Sequence, residues 1–189
     1  GIPVEIHAEI YEQQKKAHQV DKTVSASSIP TILEVLNSPG LVSTCNQLVG
    51  KNWAIIPCMH CASFPSGGRD QHWHKDDNAP YNARKQRHHQ AVQIEMLYYP
   101  QDVSEDMGPT GLLPGQHLYE WISDPDPNQC TEEVAPMCGP AGTVALVHFD
   151  AWHRAMPNIS DRKRYMLKFQ FARLQEPREP SWKHREATW

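Results

Sequence analysis

An imidazole and a carboxylate two residues apart, His74 and Asp76, stand in the run Asp70-Gln71-His72-Trp73-His74-Lys75-Asp76. On an extended strand alternate side chains share a face, so this pair would converge on one point. A metal held there wants a third ligand. The run Asp150-Ala151-Trp152-His153 offers His153, at the end of an apolar stretch from Thr143 to Phe149 that reads as a buried strand. Two histidines and one carboxylate on one face of an ion leave the opposite positions open, which suits non-haem Fe(II) and chemistry with O2. A His-x-Asp alone is weak, because surface pairs of this kind are common in any soluble protein.

The segment after His153 is more specific. It runs His153-Arg154-Ala155-Met156-Pro157-Asn158-Ile159-Ser160-Asp161-Arg162-Lys163-Arg164 and continues into Tyr165-Met166-Leu167-Lys168-Phe169-Gln170-Phe171. In that continuation Tyr165, Leu167, Phe169 and Phe171 alternate with Arg164, Met166, Lys168 and Gln170. A strand therefore buries the first set and aims the second elsewhere. An arginine fixed on a strand near a metal suits a carboxylate, whose two oxygens its planar fork binds together. Arg162 shares the parity of Arg164, but Asn158 to Arg162 reads as a turn, so Arg164 is the stronger candidate.

Taken together, His74-Lys75-Asp76, the phrase Gly108-Pro109-Thr110-Gly111-Leu112-Leu113-Pro114-Gly115-Gln116-His117 and the segment from Trp152 to Arg164 resemble the phytanoyl-CoA dioxygenase-like (PhyH) family of Fe(II)/2-oxoglutarate-dependent oxygenases. The likeness runs from about Val42 to Leu174. It implies that His74, Asp76 and His153 hold Fe(II), that Arg164 binds the distal carboxylate of 2-oxoglutarate, and that a small-molecule substrate is hydroxylated with O2, releasing succinate and CO2. Gln93, Leu97 and Ala155 join Arg164 as the expected co-substrate contacts, and Glu95, Met166 and Lys168 as further cavity-lining candidates. The chain departs from the family at Ala155, where a serine hydroxyl often helps hold the co-substrate, and at Gln116, where a Gly-Ser-His is common. Two other readings stand beside this one: a metalloenzyme of the same fold that does not use 2-oxoglutarate, and a catalytically silent binding module.

The elements that must position these residues follow from periodicity. Val4 to Val20 is polar and helix-favouring, with a narrow apolar stripe of Ile6, Ile10 and Ala17 that suits a surface helix. Ile32 to Leu36 reads as a helix entered through Pro30 and closed near Asn37-Ser38-Pro39-Gly40, and Val42 to Val49 as a third. From Trp53 the pattern changes to strands: Trp53 to Met59, then Ala91 to Tyr99, with Val92, Ile94, Met96 and Tyr98 on one face and Gln93, Glu95 and Leu97 on the other. Helices first and short strands after suit a mainly β fold with flanking α, a double-stranded β-helix (jelly roll, cupin-like) buttressed by amino-terminal helices. We expect one domain over 1–189, with a helical buttress over 1–50, a jelly-roll core over 51–174 and a tail over 175–189. Gly1 opens the chain where an initiating methionine is expected, as in a processed product or a fragment.

Composition narrows the function classes. The 189 residues are 39% hydrophobic, enough for a core, and a net charge of -4 gives no basic field for nucleic acid and no polybasic anchor for a membrane. Five cysteines, an odd number, fit a reducing, cytoplasmic compartment better than a disulfide framework. Cys58-Met59-His60-Cys61 lacks the second pair a zinc knuckle needs and reads as ordinary thiols on a strand; spacing leaves open whether Cys130 and Cys138 pair. The glycines at 108, 111 and 115 have no phosphate-loop context and more simply permit tight turns beside the site. His72 reads as peripheral or exposed, His88 and His89 as solvated, and His148 as a hydrogen-bonded core histidine. The stretch Asp77 to His89, with Arg84, Lys85 and Arg87, is either a solvated basic loop or a lid that selects an anionic substrate.

Overall fold

The computed structural model describes residues 2–21, 23–76, 90–115 and 133–175. The segment 77–89, Gln116, His117, Cys130 and most of the expected tail lie outside the described residues, as do the side chains of Cys58 and Met59. The lid reading and the Cys130–Cys138 question fall there too.

Three helices lead. The first, α1 (Val4–Val20), is followed by a short 3-10 turn (Ala26–Ser28), α2 (Ile32–Leu36) and α3 (Pro39–Val49), which starts three residues earlier than periodicity suggests because Pro39 takes its first turn. The strands are β1 (Trp53–Phe64), β2 (Gln93–Tyr99), β3 (Thr110–Leu112), β4 (Ala135–Pro136), β5 (Thr143–His148), β6 (His153–Ala155) and β7 (Arg164–Arg173). They form two sheets, one ordered β1-β7-β2-β5 and one ordered β4-β3-β6, and every described pairing is antiparallel. Among the described residues, no helix is long and apolar enough to cross a membrane.

Alternation along β2 and β7 decides the layering. Ile94, Met96 and Tyr98 with Leu167, Phe169 and Phe171 form one core together with Ile10, Ile32, Val35, Leu41 and Val49 of the helices. Leu97, Val147 and Ala151, with Leu112 and Met166 packed against them, form a second cluster on the other side of the same sheet. The larger sheet is thus covered on both faces, which is why every residue of β2 is buried. Burial of a large aliphatic side chain stabilises by about 1.5–3 kcal/mol, so the helix-facing cluster is the main anchor of the sheet.

Helix α1 is less superficial than its stripe suggests. Two polar residues join Ile10 on its buried face: His7, whose Nδ1 meets the Tyr98 hydroxyl at 2.8 Å, and Gln14, whose Nε2 donates to the carbonyls of Ala62 and Met166. Periodicity counted only apolar residues and so missed these contacts. His153 also differs from expectation. It opens β6 in the smaller sheet, not the end of the strand from Thr143, because the chain turns at 149–152 and crosses from one sheet to the other.

Candidate metal centre

His74 lies on no extended strand. It forms an isolated antiparallel bridge with His153, in which His74 N donates to His153 O at 3.0 Å and His153 N to His74 O at 2.9 Å. The pairing continues with Gln71 N on Ala155 O, at 3.0 Å, and Gly67 N on Asn158 O, at 2.9 Å. The segment before Asp76 is therefore laid along the segment after His153. Two imidazoles 79 positions apart are brought to a ring-centroid separation of 4.4 Å by this backbone pairing, which side-chain contacts such as Arg154 Nη1 on Asp70 Oδ2 at 2.8 Å reinforce.

Each ring is oriented in the same way. His74 Nδ1 lies 2.9 Å from His72 O and His153 Nδ1 3.1 Å from Ala151 O. A carbonyl only accepts, so Nδ1 carries the proton in both and Nε2 keeps its lone pair. Both Nε2 atoms face Asp76, at 3.9 Å for His74 and 3.4 Å for His153. Burial lowers the pKa of both rings, opposed by those backbone hydrogen bonds, so both are neutral at pH 7, as metal ligands must be. One ligand atom from each of His74, Asp76 and His153 lies within 4.8 Å of the others. Among the described residues no other His, Cys, Asp or Glu group clusters this way.

Arg164, on the face of β7 turned away from the helices, is 3% exposed. Its guanidinium lies 5.4 Å from the Phe64 ring centre and 5.6 Å from that of Tyr99, and Nε and Nη1 have no hydrogen-bond partner among the described residues. Burial lowers its pKa, with Tyr99 acting the other way. A buried cation with unmet donors is costly unless an anion joins it, and such orphans point to a ligand. Arg162, the competitor, is exposed.

Further along the same face, Lys168 contacts Asp76 Oδ2 and lies 3.3 Å from Glu95 Oε2, while Gln170 Nε2 donates to Glu95 Oε1 at 2.8 Å. Burial pushes the Glu95 carboxyl up to about 8, with the Gln170 hydrogen bond pulling it back. Gln93, also buried, pairs with Ala172 one step beyond. Leu97 pairs with Lys168 and packs in the cluster between the sheets.

Ala155 is buried and stands directly opposite Thr110. Thr110 was not singled out in the sequence, and neither was Tyr99. Its hydroxyl accepts from the Tyr99 hydroxyl at 3.2 Å beside the Arg164 guanidinium. Tyr99 has the parity of Gln93, Glu95 and Leu97, so counting that face two residues further would have found it. Gly108 takes φ +67°, and a Cβ there would come 2.7 Å from both Met156 O and the Phe64 ring, so the turn beside Arg164 needs glycine. His72 is exposed, and His148 is half-buried with Asp150 N donating to its Nδ1 at 3.2 Å.

A family model described as "Phytanoyl-CoA dioxygenase (PhyH)" matches residues 3–166 of the chain. AviO1 from Streptomyces viridochromogenes Tue57 is similar in structure, with a TM-score of 0.71 at 13% identity over 95% of this chain and 89% of that one. SnoN, described as a non-heme alpha ketoglutarate dependent epimerase from nogalamycin biosynthesis, gives 0.71 at 15% identity over 90% and 74%. HygX from Streptomyces hygroscopicus, solved with nickel and 2-oxoglutarate bound, gives 0.66 at 10% identity over 88% and 78%. At these identities the likeness is one of fold. No curated protein matches the chain by sequence.

Proposed function

The chain belongs to the phytanoyl-CoA dioxygenase family, and we propose that it is an Fe(II)- and 2-oxoglutarate-dependent oxygenase that hydroxylates a small molecule. In this reading its helices and strands act as one domain, and its two sheets are the halves of a double-stranded β-helix. The observation that carries it is the pairing of two features on facing elements: a His74, Asp76, His153 cluster within 4.8 Å and a buried Arg164 with two unmet donors. The donor set of two neutral imidazoles and one carboxylate fits Fe(II), and the guanidinium fits the distal carboxylate of 2-oxoglutarate. When bound, Fe(II) and 2-oxoglutarate would activate O2, whose oxidising power is divided between the decarboxylation of 2-oxoglutarate to succinate and CO2 and the hydroxylation of the substrate.

The chain's own residues do the rest by position. Nδ1 of each histidine is tied to a carbonyl, so both Nε2 lone pairs are aimed before an ion arrives. Arg164, held over Tyr99 and Phe64, fixes the tail of the co-substrate, and the hydroxyls of Thr110 and Tyr99 offer the polar contact that Ala155 lacks. Apolar Leu97, Leu112 and Met166 line the space between and keep water from the reacting centre.

Fe(II), O2 and 2-oxoglutarate incubated with the protein should give succinate in catalytic amounts, even slowly and without substrate. Stoichiometric metal binding with no succinate under any substrate screen would favour a silent binding module, and turnover without 2-oxoglutarate a different metalloenzyme. SnoN and the neighbour SnoK are described as an epimerase and a carbocyclase, not as hydroxylases. An oxygen-18 label from O2 appearing in the product is therefore the test of hydroxylation itself.

A further inference from the structure

Lys168 is an unusual neighbour for a metal site. Its ammonium contacts Asp76 Oδ2, the same oxygen that lies 3.4 Å from His153 Nε2. An ion shared by His74, Asp76 and His153 and an ammonium in that contact compete for one carboxylate, and their like charges repel. The ammonium has a second acceptor in reach. Glu95 Oε2 is 3.3 Å away, and Glu95 is itself fixed by the 2.8 Å bond from Gln170. All three side chains are at least nine-tenths buried, on paired strands: Leu97 pairs with Lys168 and Glu95 with Gln170.

We propose that Lys168 is a positioning residue that holds Asp76 in the metal-free protein and passes to Glu95 when the metal binds. The inference rests on the proposed metal site and concerns how that site is loaded. When no metal is bound the ammonium balances the charge of Asp76, a half-buried carboxylate that is costly to leave unpaired. On loading, the ammonium moves a short way along the face that β7 and β2 share. Glu95, held by Gln170, is the receiving group, and its carboxyl accepts from the ammonium whether or not it is ionised. Lys168 thus weakens metal binding while supporting the empty site, and Glu95 relieves that competition.

Removing the two residues should therefore shift metal affinity in opposite directions, which a merely structural role would not do. Co(II), which is stable in air, is titrated by calorimetry and by its visible spectrum into the full chain. Lys168→Met should bind Co(II) about tenfold tighter or more, while its metal-free form melts at a lower temperature. Glu95→Leu, which removes the receiving carboxyl, should bind about tenfold weaker. The double variant Lys168→Met/Glu95→Leu replaces a buried pair with apolar groups, which such sites often tolerate, and should recover the tight binding; it decides the matter if either single variant fails to fold. Unchanged or weaker Co(II) binding in the Lys168→Met or double variant overturns the proposal, as do shifts of the two single variants in the same direction. If the wild type binds no stoichiometric Co(II), or Asp76→Ala binds it as well as the wild type, the metal-site reading itself fails.

Discussion

Arg164 and Lys168 are two cations on one face of one strand, four residues apart and 3% and 8% exposed, yet they are treated in opposite ways. Lys168 is met by Asp76 and Glu95 from within the chain, whereas Arg164 has aromatic rings around it and two donors without acceptors among the described residues. A buried charge must be paired. Where the protein supplies the partner, the residue serves the internal arrangement of the site. Where it does not, the unmet donors suit a partner from outside, for which a carboxylate is the natural chemical complement.

Removing the carboxylate that Lys168 contacts, and that would also ligate the metal, should break this contrast most severely. Asp76→Ala is expected to abolish succinate formation and to weaken Co(II) binding beyond the range of calorimetry, because it deletes a ligand and takes a carboxylate partner from Lys168. Full 2-oxoglutarate turnover in that variant would falsify the assignment. Next comes Arg164→Ala, which should raise the 2-oxoglutarate requirement by about 2–5 kcal/mol, the cost typical of losing one member of a buried charged pair. Arg164→Lys should recover only part of this, since an ammonium has no fork, and competition with succinate or oxalylglycine would show whether the loss lies in binding.

Smaller effects sharpen the picture. Burial raises the Glu95 carboxyl from 4.5 to about 8, so between these values the folded chain holds a proton that the unfolded chain has released. The stability contributed through this group is full below the lower value and is lost as pH rises through the upper one, on the order of a few kcal/mol at most. Urea unfolding from about pH 6 to about pH 9 should show that decline, and Glu95→Gln should flatten it. Thr110→Val removes the hydroxyl paired with Tyr99 and should cost about 1 kcal/mol in 2-oxoglutarate binding, read from the Michaelis constant. Arg162→Ala, at an exposed turn, should change binding by less than about 0.5 kcal/mol. An equal effect at 162 and 164 would show that burial did not choose between them.

Regular alternation made β2 and β7 readable, and with them the inward face that carries Glu95, Arg164, Lys168 and Gln170. The helices were readable too, apart from the three residues of α3 that precede Val42 and the polar anchors His7 and Gln14. The smaller sheet was not. Its strands are three residues or fewer, too short for any period to show, and they exist because β3 pairs β4 on one side and β6 on the other.

Residue types and spacing by themselves determined the candidate ligand set, the face on which Arg164 lies and the family likeness, because period-two alternation is a local property of the chain and the motifs are local text. Tertiary structure alone decided which of those residues meet. The bridge between His74 and His153, the seat of Thr110 opposite Ala155, and the Lys168 ammonium between Asp76 and Glu95 are contacts between segments distant in sequence. Their register is set by hydrogen bonds and packing that no local pattern encodes.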